Sequence, residues 1–411
     1  MKNWEFKSVH IDDWKNKIIQ EIGKGANSFF YFDEIENLSI DITKREYKSR
    51  FTNQTIDCIN RRTKNSCYIE VENELEANKL ALYCLNFGAE ALFFKIKKIF
   101  VNWEILLKHI EIKYIKTWFQ LEDEEQKRGL LSTINPLKNL DITIQVVGDS
   151  ETIFNGFHLQ QIGSPAYLEI AYILHSLNCR IINMNKDELE NSDFIIVCGL
   201  NGNYFLDIAK INSLKYLVKK IFETYNLNPR KIEYHAHTGW SNKSIEDPDI
   251  NLLRQTTEVM AAFSSNVDAI FCNPGNYLSV NKSTLGDWRL SLNIFNLLKE
   301  ESYFDKVLNP LDGAYIYTQL VDSLIVKSWG FFVDNQNKSN IEFLYLLKEH
   351  IQETRNLRLK LFNAKENVKI GINIFKNKSE EIEDKWRELP SFLGMPYFVY
   401  EKEMTNEKNP I

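Results

Sequence analysis

From Cys67 onward the apolar positions fall into short runs separated by stretches with helical spacing. CYIEV (67–71) reads as a strand, and Leu75, Leu80, Ala81 and Leu85 recur at the spacing of a helix over Glu72–Phe87, with Gly88 as its stop. ALFFKIKKIF (91–100) is the next strand and WEILLKHI (103–110) is helical. IKYIKTWF (112–119) is strand-like, and a charged helix follows from Asp123 to Leu131. DITIQVVGD (141–149) predicts a strand ending at Gly148, then a helix from Pro165, a residue suited to a first turn, to Leu177. DFIIVCGL (193–200) is a strand, and the helix after it buries Phe205, Ile208, Ile211, Leu214, Val218 and Ile221. KIEYHAHTG (231–239) precedes a helix over Pro248–Phe263 with Asp247 as N-cap. DAIFCNP (268–274), a helix over Thr284–Lys299, AYIYTQL (314–320) and a helix over Val321–Phe332 complete the series.

Eight strand-like runs alternating with helices imply parallel strands joined by crossover helices. Their combined length is close to the ~250 residues typical of a closed (β/α)8 barrel. A doubly wound open sheet shares the same periodicity, but no GxGxxG follows the first strand, which removes its usual dinucleotide-binding form. The expected class is therefore α/β, a TIM barrel spanning 66–363. Residues 1–65 carry weak order signals: a short amphipathic helix around Trp14, Ile18, Ile19 and Ile22, and two strand-like pieces, FFYFDEI and LSIDI. They read as an arm packing on something else, being too short for a core of their own. Residues 364–411 hold one strand-like piece, NVKIGINIF, and then charged sequence, as expected of a post-barrel extension or linker stub.

Composition narrows the partners. Hydrophobic residues make up 44% of the 411 and aromatics 13%, enough for a sizeable core. The net charge of -6 offers no electrostatic footprint for nucleic acid or an anionic membrane. No apolar run approaches the ~18 residues of a membrane span. Six scattered cysteines form no CxxC, and Cys84 and Cys198 sit inside apolar runs, as buried thiols of a reducing compartment do. The charged N-terminus is no secretory signal, so a cytoplasmic location is expected.

Candidate chemistry sits at the C-terminal ends of the strands, where barrels carry their sites. His235 and His237, two apart on one strand, share a face, an arrangement suited to proton transfer or to a metal. A metal needs a third ligand, and neither Asp207, on a helix, nor Asp268, at a strand start, is placed to supply it. Hydrogen-bonded structural histidines are the commoner outcome. The turn around Gly199 and Gly202 can cradle a phosphate or merely permit a sharp strand-to-helix turn, as can Gly148-Asp149 and Asn155-Gly156. Arg254 suits a phosphate or a solvated helix face equally. No GxSxG, P-loop or HExxH occurs.

HAHTGWSNKSIEDPDINLLRQTTEVMAAF (235–263) resembles the methylmalonyl-CoA mutase segment that follows that family's sixth barrel strand. EESYFDKVLNPLDGAYIYTQL (300–320) is similar to the family's E-E-(S/T)…V-x-(D/N)-P-x-x-G-(S/A)-Y pattern. NYFLDIAKINSLKYL (203–217) is similar to its Y-F-x-E-I-A-K segment, with Asp207 for the usual glutamate. ANKLALYCLNFGAEALFF, FNGFHLQQIGSPAYLEIAYIL and NVKIGINIF also fit, and FKSVHIDDWKNKI resembles the N-terminal arm of the family's small subunit.

The resemblance implies an adenosylcobalamin-initiated radical isomerisation of methylmalonyl-CoA and succinyl-CoA in propionate metabolism, with the acyl-CoA threaded along the barrel axis. It also marks departures. The catalytic R-P-W-T-x-R-Q-Y-A-G-F segment is replaced by FTNQTIDCINRRTKNSCYIEV (51–71), and no D-x-H-x-x-G cobalamin motif occurs. A C-terminal cobalamin-binding, flavodoxin-like domain is accordingly not expected. His235 matches the family's substrate-contacting histidine, whereas His237 and Trp240 depart from the T-H-C-Q-T-S-G pattern. Together, the resemblance and its departures imply a small-subunit-like, non-catalytic chain without cofactor or metal of its own. It would pair through a dimer-wrapping arm with a catalytic large subunit that carries adenosylcobalamin. Two alternatives are an acyl-CoA mutase barrel served by a cobalamin domain on a separate chain, and a stand-alone CoA-thioester-binding protein.

Overall fold

In a computed structural model, residues 9–23, 30–43, 47–49, 51, 63–135, 137, 140–147, 152–281, 283–307, 310–376 and 386–408 are described. Helix α1 (Ile11–Ile22) precedes an antiparallel hairpin of β1 (Phe30–Asp33) and β2 (Leu38–Asp41). Eight strands then build the barrel: β3 (Lys64–Val71), β4 (Ala91–Ile96), β5 (Lys116–Leu121), β6 (Ile142–Val146), β7 (Ile153–Asn155), β8 (Asp193–Leu200), β9 (Lys231–Thr238) and β10 (Ala269–Phe271). All their pairings are parallel, in the order β6-β5-β4-β3-β10-β9-β8-β7, so the first strand meets the eighth. Among the described residues no ladder joins β6 to β7. Gln145 spans this seam, donating to the Asp193 carbonyl (3.2 Å) and accepting from the backbone and hydroxyl of Thr152 (3.1 and 3.0 Å). The result is a nearly closed (β/α)8 barrel.

The outer layer comprises α2 (Glu74–Asn86), α3 (Trp103–Leu106), α4 (Glu124–Ile134), α5 (Phe157–Gln161), α6 (Ala166–Asn183), α7 (Lys186–Glu190), α8 (Tyr204–Thr224), α9 (Pro248–Ser264), α10 (Leu285–Glu300) and α11 (Tyr315–Asn335). Local chemistry fixes their starts. Asp123 and Asp247 accept from Gln126 and Ile250 N–H groups, and Thr284 with Asp287 forms a capping box. The outward residues of β8, Phe194, Ile196 and Cys198, pack under α6 and α8, whereas Ile195 and Val197 face the bore.

Three expectations are corrected. The fifth strand is β7, a three-residue IFN too short to stand out as a run, so KIEYHAHTG is the seventh barrel strand and not the sixth. AYIYTQL is no strand but opens α11, because Leu320, Leu324, Ile325, Ser328 and Phe332 continue at helical spacing on its inner face. NVKIGINIF turns on itself at Gly371 (φ 76°), with a single bridge between Ile370 and Ile374. Beyond it, β11 (Ser391–Phe392), β12 (Met395–Pro396) and α13 (Tyr400–Lys408) follow the long α12 (Asn340–Asn363), which periodicity had left unread.

Candidate functional site

Strand alternation turns Glu233, His235 and His237 of β9 into the barrel. His235 is 0% exposed, and among the described residues neither ring nitrogen has a hydrogen-bond partner; Nε2 stands 3.6 Å from Glu233 Oε2. Its ring is walled by Trp118 (centroids 4.7 Å apart), Phe271 (5.5 Å) and Phe93 (6.4 Å), themselves 1%, 1% and 4% exposed. His237 stacks on Phe271 at 4.3 Å and meets Tyr68 and Phe157. Burial, then the neighbouring His235 and His158, drives its pKa far down and keeps it neutral.

Below this aromatic layer lies a charge cluster. Glu233 accepts from Trp118 Nε1 (2.6 Å) and pairs with Lys231 (2.5 Å) and Lys116 (3.4 Å). Burial acts to raise its pKa, but the facing His235 and the two lysines override it and hold the carboxyl below the usual range. Above the layer, residues 386–400 lie across the mouth. Arg387 N–H bonds the Leu278 carbonyl, Phe398 N–H the Gln161 carbonyl and Tyr400 N–H the Ser241 carbonyl. Tyr397 packs on Trp240 (5.2 Å) and its hydroxyl meets His158 Nδ1. Burial lowers His158 to about 4. From floor to mouth, the axis is occupied by side chains.

The remaining candidates resolve into structural roles. The Gly199–Gly202 turn cradles no anion, because Asp207 takes the N–H groups of Asn201 and Gly202 (3.0–3.2 Å). Burial lifts Asp207 to about 7. Lys210, three residues on, pairs with Glu169 at 2.7 Å, with all three side chains buried. Arg254 donates to Asn251 and to the Ile370 carbonyl. Asn251 clamps Ser244 and Gly275, Gln255 holds the Asn273 carbonyl, and Glu258 pairs with Lys243 at 2.6 Å. The polar face of α9 is thus a brace for the loops after β9 and β10. Asn155-Gly156 sits under Glu169 and Ile173, which leave no room for a side chain at Gly156, and Gly148-Asp149 lies outside the described residues.

Sequence reasoning had not assembled Trp118, Phe93, Phe271 and Tyr397 into one layer. Nor had it found the half-open cleft of about 1140 Å³ beside the mouth, between the ends of β3 and β10, whose lining includes Tyr68, Tyr277, Trp288 and Arg387. Among the described residues no group of three His, Cys, Asp or Glu is placed to hold a metal, and no helix is long and apolar enough to cross a membrane.

Comparison with known proteins gives a consistent result. The family profile described as methylmalonyl-CoA mutase matches residues 142–391, more than half of the chain. The chain is 24% identical to the methylmalonyl-CoA mutase small subunit of Porphyromonas gingivalis, over 93% of this chain and 72% of that one. It is 24% identical to the large subunit of the same organism over 55% of this chain and 33% of that one. To the mitochondrial methylmalonyl-CoA mutase of Bos taurus it is 25% identical, spanning 56% of this chain and about a third, 32%, of that enzyme. A dihydropteroate synthase structure from Coxiella burnetii aligns at 16% identity over 58% of this chain and 94% of that one, with a TM-score of 0.25, too low to bear on the fold.

Proposed function

The chain belongs to the methylmalonyl-CoA mutase family, and from that premise we propose that it is a small-subunit-like, non-catalytic component of a heterodimeric mutase. The observation that carries this reading is the filled axis. An acyl-CoA threaded through the barrel would have to displace Trp118, His235 and Phe271, all at most 1% exposed, together with the Trp240–Tyr397 pair above them. The residues present therefore do not fit the family's substrate in the bore. They offer no histidine for cobalt at the mouth either, since His235 and His237 lie beneath that layer and His158 is engaged by Tyr397. His235, matched to the family's substrate-contacting histidine, serves here as packing. On this reading adenosylcobalamin and the acyl-CoA are handled by a catalytic large subunit, which this chain stabilises through a large obligate interface. The occurrence of small and large subunits in one organism among the relatives supports such a pairing.

Co-expression with a catalytic mutase chain tests the proposal. The expected result is a 1:1 complex on sizing, with mutase turnover unchanged by His235→Ala in this chain. Turnover by this chain with a separate cobalamin-domain protein would overturn it in favour of a split enzyme. Stoichiometric CoA-ester binding by the chain alone, in the cleft beside the mouth, would favour a stand-alone thioester-binding protein.

A further inference from the structure

The inner face of α2 is built from small residues. Ala77, Ala81 and Cys84 recur at helical spacing and are all buried. Beneath them run the outward residues of β3, Cys67, Ile69 and Val71, buried as well. With no long side chain between them, helix and strand approach closely, and the Cys67 and Cys84 sulfurs come to 3.2 Å. Both thiols are free and belong to one apolar cluster with Leu92, Phe94 and Leu292. Cys198 and Cys272 are buried too, but among the described residues neither meets another sulfur.

Closing from 3.2 Å to the ~2.05 Å of a disulfide is a movement of about 1 Å, within reach of two side-chain rotations and a slight tilt of α2. We propose that Cys67 and Cys84 are an oxidation site at which hydrogen peroxide forms a disulfide that locks α2 onto β3. The chemistry closes with peroxide as the sole co-reactant. One thiol attacks the peroxide: a sulfur–oxygen bond forms, the oxygen–oxygen bond breaks and water leaves. The second thiol attacks the resulting sulfenic acid: the sulfur–sulfur bond forms, the sulfur–oxygen bond breaks, and the oxygen departs as water with the thiol proton. Two electrons pass from the sulfurs to the peroxide. A partner sulfur already in contact captures the sulfenic acid before it is oxidised further. The site owes nothing to the mutase reading.

Burial, then Cys84 beside it, holds the Cys67 thiol well above the ordinary range, and the thiolate is the reactive form. The site is therefore slow, and answers to sustained oxidant. Access comes through the last turn of α2, where Cys84 stands two residues before the end at Asn86, because helix ends open more readily than their middles. The lock bears on the cleft beside the mouth. One wall of that cleft is made by Tyr68, Ile69 and Glu70 of β3 with Glu76, Lys79 and Leu80 of α2, the two elements the disulfide ties together. Oxidation fixes this wall, and a dithiol reductant releases it.

The test is peptide mapping by mass spectrometry, without reductant, of the full chain held for hours with hydrogen peroxide in native buffer. The sample is quenched in acid and its remaining thiols are alkylated in denaturant. The expected result is a Cys67–Cys84 cross-link, lighter by two hydrogens and released by dithiothreitol, while Cys198 and Cys272 stay alkylatable. The thermal unfolding midpoint of the oxidised chain should lie roughly 3 °C above that of the reduced chain, and Cys84→Ala should abolish the difference. If Cys84→Ala does not fold, the wild-type map and midpoint decide. Sulfinic acid on either cysteine in place of the link would overturn the proposal. So would no link in a sample whose methionines are already oxidised, or the same mixed pairings from the native chain as from a urea-unfolded one. A link without a thermal shift would overturn the lock.

Discussion

Replacing Lys210 by Met leaves Glu169 and Asp207 buried without their cation, and the cost can be worked from the site. In the wild type, burial opposes the Lys210 charge, but Glu169 and Asp207 outweigh it and raise its pKa. Burial pushes Glu169 upward despite Lys210. In the variant, Glu169 escapes an unpaired charge by taking up a proton. An unfolded glutamate titrates near ~4.3 and one pH unit is worth ~1.36 kcal/mol, so protonation costs about 3.7 kcal/mol at pH 7. Losing the bond from Nζ to the Gly199 carbonyl adds roughly 1 kcal/mol at any pH. The sum agrees with the ~3–5 kcal/mol typical of a broken buried pair. The sign follows from the raised folded-state pKa. A neutral Glu169 is compatible with folding below the unfolded pKa and is penalised as pH rises above it. The deficit of Lys210→Met should therefore shrink from about 5 kcal/mol at pH 7 to about 2 at pH 5, measured as the difference in urea unfolding free energy. Lys210→Met/Glu169→Leu should recover most of it, because the double change leaves neither partner unpaired. A deficit below 1 kcal/mol, or one equal at both pH values, would refute the reasoning.

Three other outcomes are expected. Trp118→Ala should destabilise by roughly 3–5 kcal/mol in denaturant unfolding, since it empties the centre of the bore and orphans a Glu233 acceptor. Thr284→Ala should cost about 1 kcal/mol by thermal unfolding through loss of the capping box. Cys67 and Cys84, 3.2 Å apart and buried, should resist a thiol reagent until the chain is denatured, when mass spectrometry should find both labelled.

What the chain announces in sequence is what is local. DFIIVCGL became β8 at both its ends because a buried parallel strand is a continuous apolar run flanked by polar breaks. Asp247 and Pro248 marked the start of α9 for equally local reasons. IFN was missed because three residues carry no period, and AYIYTQL was misread because seven residues cannot tell alternation from the first turns of a helix. At the site, the shared face of His235 and His237 was legible from spacing two. The layer that encloses them was not, because Phe93, Trp118, Phe271 and Tyr397 come from four distant segments that only barrel closure brings together.

The seam between β6 and β7 sets how this barrel would come apart. Both strands are edges, turned toward each other and bridged by the Gln145 side chain without a ladder. The wall can part there without breaking a strand pairing, so amide protons of 142–146 and 153–155 should exchange with deuterium before those of β8 and β9. A parted seam exposes two unpaired strand edges at once, the ready template for addition of a second chain. On heating, association should therefore begin at this slit, ahead of the loss of the helical layer.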